Sequence, residues 1–436
     1  MILDLSELKR RNPWWEDKNN INNDRYIREA ENSGIEWIPK IFHTKDLIRD
    51  AIYSLRGPRQ VGKTTYIKFL IRELLSQIDD GRRILYLSCD PIDNVAELRV
   101  TLLNYLDWIR RITKERLFLF LDEVTRIKDW QITIKDLYDH NYLENVTVLA
   151  SGSHSLDVIR GSELLPGRRG EYVHPADRIL LPMTFKEFLE AYNPNLFKSL
   201  NRILSNKSSI EEIVNELKIY LRELSIMFDN YLITGGFPKP ISIYKKSGEK
   251  SINVYPYNDI KYYIRGDIQK AGKKPDLAVR IMNTLVNKLT TPIGYNTIAN
   301  EIKIDPKTVK DYIETLEGMF LLTTIHQPDI KTLTPLERKM KKIYHLDPFL
   351  VYVTKYMMYE DEDPFEITLE TFKKYYPELI ELVTANHIKR ITKKVFYWRT
   401  KKGREIDFLI ITKQKIIGIE VKKNINKEDP SKVTHK

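Results

Sequence analysis

Gly57-Pro58-Arg59-Gln60-Val61-Gly62-Lys63-Thr64, followed by Thr65, decides the fold of this chain. The run fits GxxxxGK[ST] at every fixed position, the pattern of a loop that wraps phosphate groups. Gly57 and Gly62 let the backbone turn through conformations that a Cβ disfavours, so successive N–H groups can surround a phosphate. In this pattern Lys63 reaches the β- and γ-phosphates and the Thr64 hydroxyl ligates Mg²⁺. The flanks agree with it. Ala51–Arg56 reads as a strand, and from Lys63 the apolar residues Ile67, Leu70, Ile71 and Leu74 repeat at helical spacing. A helix starting at the loop presents its N-terminus to an anion.

Such a loop needs an acidic partner at the end of a neighbouring strand. Leu117–Leu121 is a run of five apolar residues, suited to a strand buried on both faces of a parallel sheet, and Asp122-Glu123 follows directly. Asp122 is placed to hold Mg²⁺ through water and Glu123 to polarise an attacking water, a double acid that favours ATP over GTP chemistry. A further strand, Asn145–Ala150, ends in Ser151-Gly152-Ser153, and Ser153 is chosen over Ser151 as the hydroxyl that senses the γ-phosphate.

These residues resemble the AAA-plus-related ATPases of archaea and bacteria, and within them a group that joins the ATPase to a winged helix and a nuclease-like C-terminal domain. The resemblance also runs through Asn12-Pro13-Trp14-Trp15, Gly152-Ser153, Leu165–Gly170, Leu181–Phe188, Gly235–Pro238 and Arg265–Ile268. It implies an α/β fold: a P-loop NTPase parallel sheet with a helical lid, followed by a winged helix and a small α+β nuclease-like domain. The expected domains are 1–45, a leader; 46–182, the ATPase core, with 178–182 as its last strand; 183–270, the lid; 271–350, the winged helix; and 351–436, the nuclease-like domain. ATP and Mg²⁺ are the implied cofactors. Arg168, Arg169 and Arg265 are candidates for stabilising phosphate charge, in their own subunit or across a homo-oligomer. The leader tryptophans are expected to pack on the core rather than to bracket adenine.

The chain has 436 residues, of which 42% are hydrophobic, enough for about three domains with their own cores. No apolar run approaches the roughly 18 residues of a membrane span, and a cytoplasmic setting is expected. One cysteine, Cys89, excludes a disulfide framework and reads as a small buried residue. The net charge of +11 is uneven: from His387 to Lys436 there are 15 Lys or Arg against 5 Asp or Glu, while Val351 to Asn386 has 3 against 8. A basic ending favours a polyanion, with DNA as the expected partner.

Leu277, Ile281, Leu285 and Leu289 share a helical face, Thr297–Ile302 forms a short second helix, and Asp305-Pro306 caps a third from Lys307 to Met319. Leu321–Ile325 and Lys342–Leu346 are the expected wing strands. The third helix carries Lys307 and Lys310 against Asp311, Glu314 and Glu317, so groove reading and a protein-contacting role stay open as alternatives.

Near the end, Val395–Arg399, Glu405–Ile411 and Ile416–Lys422 read as an antiparallel meander. Alternation puts Glu420 and Lys422 on one face, where Asp407 can join them. Two carboxylates can hold Mg²⁺ while an ammonium stabilises phosphate charge, which resembles the D…(D/E)xK signature of metal-dependent nucleases. Glu381, on the preceding helix, corresponds to the extra carboxylate of that signature. Only 14 residues follow Lys422, where nuclease domains of this type continue with a helix and a further strand. A basic platform that binds nucleic acid without cutting it is therefore the alternative expectation.

Overall fold

The computed structural model describes residues 1–153, 170–206, 209–329, 331–400, 402–412 and 415–422. They fall into two compact units. The first comprises Met1–Leu217, Phe237–Gly248 and Gly318–Phe320; the second comprises Lys218–Gly236, Glu249–Glu317 and the chain from Leu321.

The first unit is built on a parallel sheet of β1 (Ala51–Arg56), β2 (Ile84–Ser88), β3 (Leu117–Asp122), β4 (Val146–Gly152) and β5 (Asp177–Ile179), in the order β2-β3-β4-β1-β5. Strands β1, β3 and β4 are buried along their whole length, as the continuous apolar runs of the sequence require. This is the α/β class expected. The last strand is shorter and earlier than 178–182, because after Ile179 the chain keeps only one ladder-like bond, from the Leu180 N–H to the Arg56 carbonyl at 2.7 Å. The register sets Arg56 beside Gly152 and Leu121 beside Ala150, so the carboxyl ends of β1, β3 and β4 open onto one crevice. In open α/β sheets that is where ligands bind.

Strand β2 lies at the sheet edge, where its outward N–H and C=O groups need partners. The leader supplies them. Asn12 is fully buried: its Oδ1 accepts from the Tyr86 N–H at 2.7 Å, and its Nδ2 donates to the Tyr86 carbonyl at 3.1 Å. The Trp14 and Trp15 indoles both donate to the Ile84 carbonyl, at 3.1 and 2.8 Å. Both tryptophans therefore pack on the core, and the Asn12–Trp15 motif is an edge cap.

The stretch 183–270, expected as one helical lid, divides between the units. Phe185–Tyr192, closed by a Thr184/Glu187 capping box, lies in the first with Pro194–Asn206, Ile210–Leu217 and Pro238–Lys246; Leu221–Thr234 and Tyr255–Lys270 lie in the second.

In the second unit, helices Pro275–Asn287, Tyr295–Ile302 and the helix from Pro306 precede the antiparallel pair β6 (Leu322–His326) and β7 (Lys341–His345), and Ile293 bridges to Lys341. Helices Pro348–Tyr356, Pro364–Lys374 and Tyr376–Ile391 follow, and then the expected meander, β8 (Val395–Arg399), β9 (Glu405–Ile411) and β10 (Ile416–Ile419), in the order β10-β9-β8. Among the described residues no helix is long and apolar enough to cross a membrane.

Candidate functional site

The loop after β1 is held by the chain that follows β5. A Cβ on Gly57 would meet the Leu180 carbonyl oxygen at 2.0 Å, so only glycine fits there. Gly62 has φ +100° and forms the N-cap of helix Lys63–Gln77, the left-handed turn that aims the helix start into the crevice. Between them Pro58 and Val61 are buried, Arg59 and Gln60 are half-buried, and Gln60 takes a positive φ of 58°. Thr65, in the first turn of the helix, is also half-buried. The Lys63 ammonium is buried and donates to the carbonyls of Gly57 at 3.0 Å and Pro58 at 3.1 Å.

Asp122 ends β3 and collects three hydroxyl donors. Thr64 Oγ1 donates to its Oδ2 at 2.7 Å, Tyr86 Oη to the same oxygen at 2.9 Å, and Ser151 Oγ to its Oδ1. Ser151 Oγ in turn accepts the Glu123 N–H at 3.1 Å. Burial and the adjacent Asp122 push the Tyr86 phenol far up, which keeps it a donor.

Glu123 adopts φ 54°, a left-handed conformation uncommon outside glycine, and this turns its side chain toward the loop. Its Oε1 lies 3.5 Å from Lys63 Nζ, its Oε2 lies 3.6 Å from Arg59, and Ser153 Oγ donates to Oε2 at 3.1 Å. Burial alone would raise this carboxyl, but Lys63, Arg59 and Ser153 outweigh it and hold it below the usual range. Glu123 is an ionised carboxylate in a dry site. The set fits a nucleotide with its cation: a glycine cradle, an ammonium resting on backbone carbonyls, and a threonine hydroxyl paired with a carboxylate, the oxygen donors Mg²⁺ takes.

Ser153 therefore sits beside Glu123, while Ser151 lies beneath Asp122 and Glu123. Arg168 and Arg169 lie outside the described residues. Arg265 is in the second unit, where it pairs with Asp276 at 2.6 Å. Cys89 is buried beyond the end of β2, and desolvation raises its thiol well above the ordinary range, which leaves it unreactive. Sequence reasoning missed Tyr86 as a partner of Asp122, because only the strand order brings β2 against β3.

Of the second cluster expected from sequence, Glu381 and Asp407 meet around an unexpected residue. Lys342 and Tyr344 alternate onto one face of β7, and Glu405 and Asp407 onto one face of β9. Lys342 Nζ lies 2.6 Å from Glu405, 2.9 Å from Glu381 and 3.1 Å from Asp407, and its side chain is 1% exposed. Tyr344 Oη donates to the same Glu381 oxygen at 2.8 Å, and the Val421 N–H donates to Asp407 Oδ2 at 2.9 Å. Glu420 follows β10; burial raises its carboxyl, and so does Asp407. Lys422 is exposed. Burial would lower the Lys342 ammonium, but Glu381, Glu405 and Asp407 together raise it above the ordinary lysine range. Among the described residues no group of three His, Cys, Asp or Glu is disposed to hold a metal ion. Lys342 and Glu405 were not anticipated, although Glu405 shares the period-2 face of Asp407.

Residues 49–189 match a family model described as an AAA domain, so the coarse class of this segment is a P-loop ATPase domain of the AAA type. Residues 225–356 and 379–435 match two models described only as domains of unknown function. An uncharacterized protein of Methanocaldococcus jannaschii is 25% identical over 299 residues, which is 65% of this chain; the chain spans 57% of that relative's length. Among solved structures, the chain is similar to the Walker-type ATPase PABY2304 of Pyrococcus abyssi, with TM-score 0.42 and 13% identity over 81% of this chain and 98% of that one. It is also similar to the RuvB Holliday junction branch migration motor of Thermotoga maritima, with TM-score 0.30 and 15% identity over 70% of this chain and 88% of that one. Cdc6p of Pyrobaculum aerophilum gives TM-score 0.30 and 15% identity over 82% of this chain and 97% of that one.

Proposed function

We propose that this protein is an Mg²⁺-dependent ATPase whose hydrolysis cycle drives a switch or motor acting on DNA in the cytoplasm. The observation that carries the ATPase part is the convergence of Lys63, Thr64, Asp122 and Glu123 at the carboxyl ends of β1 and β3. The backbone of Gly57–Thr65 surrounds the phosphates, and Lys63 leaves the Gly57 and Pro58 carbonyls to meet their charge. Thr64 and Asp122 would hold the cation, whose charge would offset that of the phosphates. Glu123 accepts a proton from the attacking water, and Ser153 orients Glu123. Arg168 and Arg169 enter from sequence alone, as stabilisers of phosphate charge within a subunit or across a homo-oligomer.

Lys63→Ala in purified protein is expected to lower Mg²⁺-dependent ATP turnover by about 10³-fold, as loss of a charge-stabilising donor does. Unchanged turnover would overturn the reading.

The DNA part rests on the winged-helix reading of 271–350 and on the basic ending. A second reading, a regulatory ATPase whose C-terminal regions bind protein, is favoured by one feature of the helix from Pro306. Its Lys310 is paired with Glu314 at 3.5 Å, and its Asp311 is engaged by Lys273, so little positive charge is free for phosphate. Titration of labelled DNA at several salt concentrations separates the two: binding that weakens steeply with salt supports DNA, and absence of binding supports a protein partner. The nuclease-like site of Glu381, Asp407, Glu420 and Lys422 belongs to this proposal as a relic.

A further inference from the structure

The nuclease resemblance implies a divalent metal between Glu381, Asp407 and Glu420, and the side chains present do not fit one. The point on which the carboxylates converge is taken by the Lys342 ammonium, with Glu405, Glu381 and Asp407 at 2.6, 2.9 and 3.1 Å. Part of their remaining capacity is also engaged. The second oxygen of Asp407 accepts the Val421 N–H, the Glu381 oxygen facing Lys342 also accepts Tyr344 Oη, and the second oxygen of Glu405 faces Arg399 at 3.7 Å. Lys342 comes from the middle of a strand buried at every position and is itself 1% exposed, so it cannot swing aside as a surface lysine does.

We infer that Lys342 is a tethered counter-ion standing in the metal's place, so that this carboxylate cluster loads no divalent cation and the domain does not cleave phosphodiesters. This deepens the relic reading of the same residues and is independent of ATP turnover. A divalent cation needs several oxygens at about 2.0 to 2.6 Å. Here three carboxylates already surround a univalent nitrogen at hydrogen-bonding distance, and a metal ion entering would be forced against a fixed positive charge. The same geometry makes a second statement: with the ammonium removed, the carboxylates form an oxygen site whose uncompensated charge attracts a divalent cation.

The test is Mn²⁺ binding to the full chain without nucleotide, counted by the electron paramagnetic resonance of free Mn²⁺. The Asp122→Asn background removes the carboxylate of the nucleotide site. In that background the protein is expected to show no Mn²⁺ site that Asp407→Asn abolishes, whereas added Lys342→Met creates one, seen as about one further Mn²⁺ bound per chain, that a further Asp407→Asn removes. Binding by the parent that is lost on Asp407→Asn would overturn the inference, and so would a folded Lys342→Met variant with no new site. Because Lys342→Met risks misfolding, supercoiled plasmid with Mn²⁺ supplies the second measurement on the unaltered protein. No nicking, or nicking that Asp407→Asn leaves unchanged, supports the inference; nicking that Asp407→Asn abolishes overturns it. Neither readout depends on ATP hydrolysis, so a failed ATPase reading and a failed counter-ion reading are told apart.

Discussion

Lys63 and Lys342 are both buried, one in each unit, and both face carboxylates, yet their charges are spent differently. Lys63 rests on two neutral carbonyls, and the Glu123 carboxylate stands 3.5 Å away. Lys342 is clasped by three carboxylates, all within 3.1 Å. A neutral carbonyl gives up an ammonium to a phosphate easily, because the phosphate adds the attraction of a full negative charge that the carbonyl dipole lacks. A carboxylate cage does not. The lesson is that a buried lysine is poised for chemistry when its resting partners are weak, and is structural when they match its charge.

Glu123→Gln should break the first half of that contrast most sharply. It keeps the size of the side chain but removes the proton acceptor, so turnover is expected to fall by about 10²- to 10⁴-fold while ATP binding, read by equilibrium dialysis, stays within a few-fold. Turnover that survives would remove Glu123 from the chemistry and leave Lys63 resting on a mere salt bridge.

Lys342→Met addresses the second half through stability. Removing one partner from a buried ion cluster leaves the other charges uncompensated, at a cost of about 3–5 kcal/mol. Denaturant unfolding should show that loss, and millimolar Mn²⁺ should restore part of it in the variant. A variant as stable as the parent would mean that the cage contributes nothing and that the two lysines are held alike.

How far each site could be read in advance follows from what sets it. The phosphate loop is contiguous, and its partner acids directly end an apolar run, so Gly57–Thr65, Asp122 and Glu123 were legible from spacing. The parallel α/β core was legible too, because strands buried on both faces are apolar throughout. Tyr86 was not, since its meeting with Asp122 depends on β2 lying beside β3, and Ser151 and Ser153 differ only in that the first lies within β4 and the second just past its end. Lys342 was passed over as one lysine among many in a lysine-rich chain; the clue was its place in a strand otherwise destined for burial, two residues before Tyr344. The packing of two strands and a helix, which brings 342, 405, 407 and 381 to one point, is a long-range property that no local pattern carries.

The second unit also buries an unusual base on the strand that bears Lys342. His345, at the end of β7, is fully buried, its Nε2 lies 3.2 Å from Thr354 Oγ1, and burial with the nearby Lys355 lowers its pKa to about 3. The unfolded chain, with an ordinary imidazole near pH 6.5, binds the extra proton first, so stability is full above that pH and falls as the pH drops toward the folded value. Between pH 6.5 and 5 the loss from this group is about 2 kcal/mol. His345→Gln should flatten the pH dependence of unfolding in that window. An unchanged slope would place the acid sensitivity elsewhere, with His387, lowered by burial to about 4, as the next group to replace.

Tyr86→Phe sharpens the comparison on the nucleotide side with the smallest effect. Asp122 has donors on both oxygens from Thr64, Tyr86 and Ser151, and the strand carrying Tyr86 is fixed at its outer edge by Asn12, Trp14 and Trp15. Deleting the phenol removes one hydrogen bond to a carboxylate and leaves the other two, a change of about 1 kcal/mol. Because Tyr86 acts through Asp122, its loss should appear in the Mg²⁺ concentration needed for half-maximal turnover, moved by about fivefold, with the rate at saturating Mg²⁺ held nearly constant. A fall in the saturated rate instead would mean that Tyr86 supports the reaction by another route, and the resting hold on Asp122 would then be as structural as the cage around Lys342.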